Sequence, residues 1–225
     1  MFNLFKRRIP KELFHKDLPS RERITLVIEE FIEPALTDAG FTFKRRDLEF
    51  HRKRESGVRE EIKLFTHRYN SKATGQAMFH PQVTLGYGPF DRFCTKVFGS
   101  QDLSTVWYGL PSELHGSTQD CLREGYYDLG EDDNRRIMEA CKHNVVDVLL
   151  PRLNELSTPE SLITFLGELP TPEVQTQLLL AAMNTDRQAA EIFFAQYEAD
   201  CAKDKDPASR TARLERFRKI VEAVQ

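Results

Sequence analysis

An alternation of apolar and charged residues runs through residues 40–71, in the stretch GFTFKRRDLEFHRKRESGVREEIKLFTHRYNS. A period of two is that of a β-strand with one buried and one exposed face, so this stretch predicts a sheet. The phase changes once, because Phe41 and Phe43 occupy odd positions whereas Leu48 and Phe50 occupy even ones. One continuous strand cannot place both pairs on the same face, and we therefore expect a bulge or turn at KRRD.

A second strand should follow the turn sequence ESG. It would carry Val58, Ile62 and Leu64 on one face and Phe65 and Tyr69 on the other. Further along the chain, QVTLGYG, STVWYGL and DCLREGYYDL have the character of short strands, whereas PFDRFCTKVFG has apolar residues at helical spacing. Together these segments predict an antiparallel meander of three to five strands, interrupted by one helix.

Helical periodicity precedes and follows these strands. Ser20 can cap a first helix that Gly40 ends, and Pro34 predicts a break within it. A long helix beginning near residue 132 has an apolar stripe of Ile137, Cys141, Val145, Val148, Leu149 and Leu153, and Pro151 predicts a kink near its end.

The C-terminal residues carry a series of helix start signals. These are Ser157 with Glu160 and Pro159, Thr171 with Pro172, Thr185 with Gln188, and Asp206 with Pro207. Short capped helices in succession form helical hairpins or a bundle. The predicted fold class is therefore α+β: an N-terminal helix, the meander and a long helix in a domain over residues 1–156, then an all-helical segment over residues 157–225.

The net charge and composition of the whole chain limit the classes of partner that it is expected to bind. A net charge of -3 and a pI near 6.1 give no general attraction to nucleic acid or to an anionic membrane. No apolar run approaches the ~20 residues of a membrane span, and the start MFNLFKRRIPKELF does not have the order of a signal peptide. Cys94, Cys121, Cys141 and Cys201 lie far apart in the sequence, which is typical of reduced thiols. We expect a soluble cytoplasmic protein that does not bind membranes, and any binding of nucleic acid would have to come from a local patch.

The hairpin itself is strongly basic, with nine Lys and Arg residues beside five acids. Arg52 and Arg54 should lie close to Glu60 and Glu61 across the ESG turn, so opposite charges pair across the strands. Such pairing favours a solvated sheet face. A protein-binding face and a nucleic-acid platform are the alternatives.

Residues for catalysis or metal binding form no recognisable motif. His51, His67 and His80 lie on or beside successive strands, but their spacing matches no local metal-ligand pattern. Nucleophile elbows, phosphate-binding loops and dinucleotide fingerprints are all absent from the sequence. We therefore predict a non-enzymatic protein without a metal or cofactor, and keep a metal-dependent hydrolase as an alternative.

An acidic loop, YYDLGEDDN, precedes the long helix. Carboxylates at this position can satisfy the free N–H groups of the helix and oppose its dipole. Beside two tyrosines they also offer a landing site for a partner protein. The candidate partner-binding residues are Tyr126, Tyr127, Asp128, Glu131, Asp132 and Asp133.

The order of three segments resembles a known pattern: EPALTDAGFTFKRRDLEFHR, then PQVTLGYG, then VVDVLLPRLNELSTPESLITFL. Over residues 24–169 it is similar to a widespread bacterial class of small α+β domains of unknown function. Several proteins of similar organisation are regarded as immunity proteins, which bind and neutralise a toxin made by the same bacterium. The resemblance implies a cognate toxin as the partner, and an adaptor that binds through its C-terminal helices is the alternative.

Overall fold

The computed structural model describes residues 12–99, 105–115, 125–130, 133–169, 173–202 and 206–224. It confirms the α+β class, with α-helices and one antiparallel sheet. The six strands are β1 (Thr42–Lys44), β2 (Glu49–Lys53), β3 (Val58–Thr66), β4 (Met78–Tyr87), β5 (Thr105–Gly109) and β6 (Tyr127–Asp128). They lie in the order β1-β2-β3-β4-β5, and β6 also pairs with β4.

The phase change in the charged hairpin is a tight turn, as predicted. β1 ends at Lys44 and β2 begins at Glu49, and these two residues are opposite each other in an antiparallel register. The turn closes with the N–H of Asp47 donating to the carbonyl of Lys44 over 3.0 Å. Leu48 takes a φ of 54°, which lets its side chain enter the core while the chain reverses.

Proline governs the N-terminal helices in the predicted way. Helix α1 (Ser20–Phe31) buries Ile24, Val27 and Ile28 and stops before Pro34. Helix α2 (Glu33–Asp38) then carries this proline in its first turn, where the missing N–H costs no hydrogen bond.

The long predicted helix is interrupted by a π-helical segment. Helix α5 (Asn134–Lys142) is followed by π-helix over His143–Leu149 and then by α6 (Leu150–Glu155). We attribute this to Pro151, whose ring would clash with the carbonyl four residues earlier in a regular helix, because the wider π turn relieves that clash. The predicted apolar stripe is buried except for Val148, which is half-buried.

Six further helices lie in the described residues. They are α3 (Gly88–Phe98), α4 (Pro111–His115), α7 (Pro159–Glu168), α8 (Val174–Met183), α9 (Arg187–Cys201) and α10 (Pro207–Glu222). The predicted cap of α7 was wrong by one residue: Thr158 is the N-cap and forms a capping box with Ser161. The cap of α9 is Asp186 rather than Thr185, whereas Asp206 precedes α10 as predicted. The start signal at Thr171 lies outside the described residues.

By its internal contacts the chain divides into two units. One comprises Met1–His51, Ile62–Gln82 and Leu110–Pro151, and the other comprises Arg52–Glu61, Val83–Gly109 and Arg152–Gln225. In the second unit the C-terminal helices pack on β5, because the ring of Trp107 meets that of Phe165 edge to face at 5.4 Å. The sequence-based boundary at residue 156 stays a prediction.

Cys94, Cys141 and Cys201 are buried free thiols, and Cys121 lies outside the described residues. Within the described parts of the chain, every helix is too short or too polar to cross a membrane.

Candidate functional site

Five aromatic and imidazole rings gather on one side of the sheet in the first unit, and we call them the aromatic-histidine face. Phe65 and His80 are residues of strands β3 and β4, His67 and Tyr69 follow β3, and Tyr126 immediately precedes β6. The members of β3 and its continuation are two residues apart, so the period of the strand points them the same way. The face reaches solvent, with Tyr69 60% and Phe65 39% exposed.

The rings of the aromatic-histidine face form one continuous chain. Phe65 stacks on His80 at 5.7 Å between centroids, with 17° between the ring planes. Tyr126 meets His80 at 4.7 Å and His67 at 4.9 Å, edge to face in both cases. His67 then contacts Tyr69 at 5.2 Å. Each of these distances is within the range of favourable aromatic pairs, so the rings hold one another in place.

Two cations border the face. The Arg68 guanidinium lies 4.6 Å from the ring centroid of Tyr69, and the Lys63 ammonium lies 5.6 Å from that of Phe65. Lys63 is also paired with Glu49 at 3.2 Å. Arg68 forms no ion pair with a described residue, and it therefore supplies the positive charge of this face.

His80 is a half-buried imidazole of the face. Its Nδ1 atom is buried and has no hydrogen-bond partner among the described residues. Burial lowers the pKa of His80, because the surroundings solvate an imidazolium poorly. Near neutral pH, His80 is an uncharged ring that contributes packing to the face.

Two residues of the predicted partner-binding set are internal. Tyr127 is fully buried, and its hydroxyl accepts a hydrogen bond from the Asn144 side chain at 2.6 Å. Asp128 is 5% exposed, and its carboxylate accepts from the N–H of Gly130 at 2.7 Å. These two side chains are therefore part of the protein interior, where their hydrogen bonds hold this segment in place.

The other predicted residues fall into two groups. Tyr126 is half-buried and takes part in the ring chain described above. Asp133 is the N-cap of α5, and its carboxylate accepts a hydrogen bond from the N–H of Arg135 at 3.1 Å. This is the helix-capping role that the sequence also allows for the acidic loop. Glu131 and Asp132 lie outside the described residues. As a partner-binding site the set stays a prediction, with Tyr126 as its described aromatic member.

A buried arginine fixes the segment that follows β6, the strand next to Tyr126. Arg23 is 3% exposed, and burial lowers its pKa. Its guanidinium donates to the carbonyl of Leu129 at 2.5 Å, to the Asn134 side chain at 2.9 Å and to the carbonyl of Phe14 at 2.8 Å. One side chain thus ties α1 to both ends of the segment between β6 and α5.

Two arginines of the basic hairpin pair with an acid of the same hairpin, as its sequence indicated. In the second unit, Arg52 and Arg54 both pair with the carboxylate of Glu60, which is 1% exposed. The same arginines donate to the side chain of Asn154, at 3.1 and 2.7 Å. Their positive charge is used within the protein, which weakens the interpretation of this hairpin as a phosphate-binding surface.

The three histidines do not act as one group. His67 and His80 flank Tyr126, whereas His51 pairs with Glu49. Among the described residues, the side chains spaced to hold a cation include Glu49 and His51 but neither of the other two histidines. Glu49 also pairs with Lys63, a cation that would compete with a metal ion.

The sequence matches no protein-family model, and comparisons with curated proteins and with solved structures return no match either.

Proposed function

We propose that this chain is a non-enzymatic protein that binds another protein through the aromatic-histidine face. The observation that carries the proposal is the continuous chain of five rings, whose two ends, Phe65 and Tyr69, are exposed. Aromatic side chains that their neighbours hold in fixed positions bury large areas at little cost in entropy, and they are enriched in the residues that dominate binding energy. Arg68, packed on Tyr69, adds a residue type that is enriched in the same way.

We further propose that the partner is a bacterial toxin, which the chain neutralises by direct contact in the cytoplasm. The resemblance of residues 24–169 to a class that includes immunity proteins supports this assignment. An inhibitor of this kind needs a stable scaffold and a binding surface, but no cofactor and no catalytic group.

The charge of the face sets the expected chemistry of the partner surface. The described carboxylates of the acidic loop, Asp128 and Asp133, accept hydrogen bonds from their own loop and helix. Among the described residues of the face, Arg68 is the cation that forms no ion pair, and it packs on the ring of Tyr69. We therefore expect the partner to present a carboxylate beside an apolar or aromatic side chain.

Co-expression with the toxin encoded in the neighbouring gene tests the proposal. The wild-type chain should rescue growth and should retain the toxin in a pull-down. Tyr69→Ala and Phe65→Ala should each weaken binding by about tenfold to thirtyfold, in the range of interface residues that matter. Their side chains are partly or largely exposed, so folding should be little affected, and circular dichroism with urea unfolding checks this.

The matched control is Tyr108→Ala, which removes an equally exposed tyrosine from β5 in the other unit. It should leave rescue and binding unchanged. Failure of the wild-type chain to bind or rescue would refute the toxin assignment. Rescue that survives the double change Phe65→Ala and Tyr69→Ala would refute the assignment of this face.

A second candidate is an adaptor that binds through the C-terminal helices. Ile192 favours it, because this apolar side chain on α9 is 51% exposed. Deleting these helices would not be a clean test, since they pack on β5 in the same unit. The test is instead Ile192→Asp, which should abolish partner binding by an adaptor and leave binding through the aromatic-histidine face intact.

A further inference from the structure

An apolar groove of about 440 Å³ opens between helices α3, α8 and α10 in the second unit, and we call it the α3/α10 groove. Its apolar lining consists of Phe93, Val97, Ala182, Ile220, Ala223 and Val224. The volume is within the roughly 300 to 1,000 Å³ that is typical of small-molecule sites. Apart from charged side chains, the lining includes one polar residue, Thr185.

Three cations also line the α3/α10 groove: Lys96 from α3, and Arg216 and Lys219 from α10. All three side chains are exposed, and none forms an ion pair with a residue in the described ranges. Arg216 packs its guanidinium 4.0 Å from the ring centroid of Phe98, which orients it without neutralising it. Among the described residues, those that line the groove include no acidic side chain.

The arrangement follows from the sequence of α10. Arg216, Lys219, Ile220 and Ala223 recur at helical spacing, so charged and apolar side chains share one face. The nearest acids in sequence, Glu215 and Glu222, are not among the residues that line the groove. The groove is therefore apolar within and positive at its mouth.

We propose that the α3/α10 groove binds a fatty acid, with its alkyl chain along the apolar lining and its carboxylate among the three cations. An alkyl chain needs no hydrogen bonds, which suits a lining with a single neutral polar side chain. A single anionic head group matches a cluster of unpaired cations, because lysine and arginine donate charge-assisted hydrogen bonds to a carboxylate. A nucleotide would leave most of its polar atoms without partners in this groove.

Calorimetric titration of the full chain with sodium dodecanoate, below the concentration at which it forms micelles, tests the proposal. One molecule of dodecanoate should bind per chain, and added salt should weaken the binding. Octanoate lacks four methylene groups and should bind more weakly by about two orders of magnitude. The cationic dodecyltrimethylammonium has the same alkyl length and should not bind measurably.

Variants locate the site. Arg216→Ala and Lys219→Ala should each weaken dodecanoate binding about threefold, and the double variant about tenfold, as expected for exposed ion pairs. Ala223→Phe fills the groove from an exposed position and should abolish binding while leaving urea unfolding unchanged. The matched control is Lys142→Ala, an exposed lysine of α5 outside the groove, which should bind dodecanoate like the wild type.

The proposal is overturned if dodecanoate does not bind. It is also overturned if dodecyltrimethylammonium binds as tightly as dodecanoate, which would show an apolar surface without charge selection. Undiminished binding to a folded Ala223→Phe variant would place the ligand elsewhere and overturn it too.

Discussion

The ring of Tyr126 meets the ring of His80 edge to face, with 4.7 Å between their centroids. The register of the sheet produces this contact, because β4 and β6 pair Met78 with Asp128 and Phe79 with Tyr127. Continuing the register by one residue sets Tyr126 opposite His80 on the other face of the strands. The pairing of β4 with β6 thus buries Phe79 and Tyr127 in the core, and it also positions Tyr126, the central ring of the aromatic-histidine face.

We expect His80 to make the stability of the protein depend on pH. Its folded-state pKa is lowered from 6.5 by burial, so the unfolded chain binds a proton first as the pH falls. The free energy of unfolding should therefore be unaffected by this group well above pH 6.5 and should decrease as the pH drops through 6.5 towards the lower, folded-state pKa. Urea unfolding of the wild type at a series of pH values between about 8 and 5 measures the decrease.

The variant His80→Gln should lose part of that decrease, because it removes the group that titrates. The matched control His143→Gln changes an exposed histidine and should keep the His80 contribution. Equal pH dependence in wild type and His80→Gln would contradict the prediction.

We expect Arg23 to hold in place the segment after β6, and through this strand the adjoining Tyr126. Arg23→Met keeps an unbranched, though shorter, side chain and removes the guanidinium that donates to the carbonyls of Phe14 and Leu129 and to the side chain of Asn134. The free energy of unfolding should fall by about 3 kcal/mol, since buried acceptors would lose their partners. Arg21→Met is the control, because Arg21 is exposed, and it should cost less than about 1 kcal/mol.

The same change should weaken partner binding although Arg23 is nearly inaccessible to solvent. If Arg23→Met binds the partner more weakly at a temperature where the variant is still folded, Arg23 acts by positioning the binding face. Wild-type binding by a folded Arg23→Met chain would contradict it.

Sequence patterns predicted the parts of the fold that depend on neighbouring residues. The phase change between Phe43 and Leu48 located the turn, and Pro34 located the break between α1 and α2. The period of two in β3 separated the buried Leu64 from the exposed Phe65. These features are local consequences of backbone geometry, so a single sequence is sufficient to predict them.

The features that the sequence did not predict depend on distant contacts or on small differences in local geometry. Strand β6 has two residues, so it shows no periodicity, and its pairing with β4 brings Tyr126 beside His80 only in the folded chain. Phe65, His67 and Tyr69 are spaced two residues apart, and this spacing is the sequence pattern that places them on the same face of a strand. The π-helical segment before Pro151 was missed because its stripe of apolar residues suits an α-helix equally well.

We expect the carboxylate of Glu60 to be important for the stability of the hairpin. It is 1% exposed and pairs with both Arg52 and Arg54. Glu60→Ala would leave two partly buried guanidinium groups without their anion, and it should lower the free energy of unfolding by about 3 kcal/mol or more. Urea unfolding measures the change.

The matched control is Glu55→Ala, which removes an exposed glutamate from the turn of the same hairpin and should change stability by less than about 0.5 kcal/mol. Similar effects of the two changes would show that Glu60 contributes no more than an ordinary surface charge.

We expect the thiol of Cys94 to be unreactive in the folded protein. Burial, with a smaller contribution from the charge of Asp91, raises its pKa from 9.0 to about 12. The thiolate is the reactive form, so its population near pH 8 should be lower than in the unfolded chain by about a thousandfold. Limited access to the buried sulfur should slow the reaction further. Alkylation by iodoacetamide, followed for the Cys94 peptide by mass spectrometry, should therefore be at least about a hundredfold slower in buffer than in urea.

Cys141 is an internal comparison, because burial raises its pKa as well. Rapid labelling of Cys94 under native conditions would show that the helix carrying it, α3, opens readily from its neighbours.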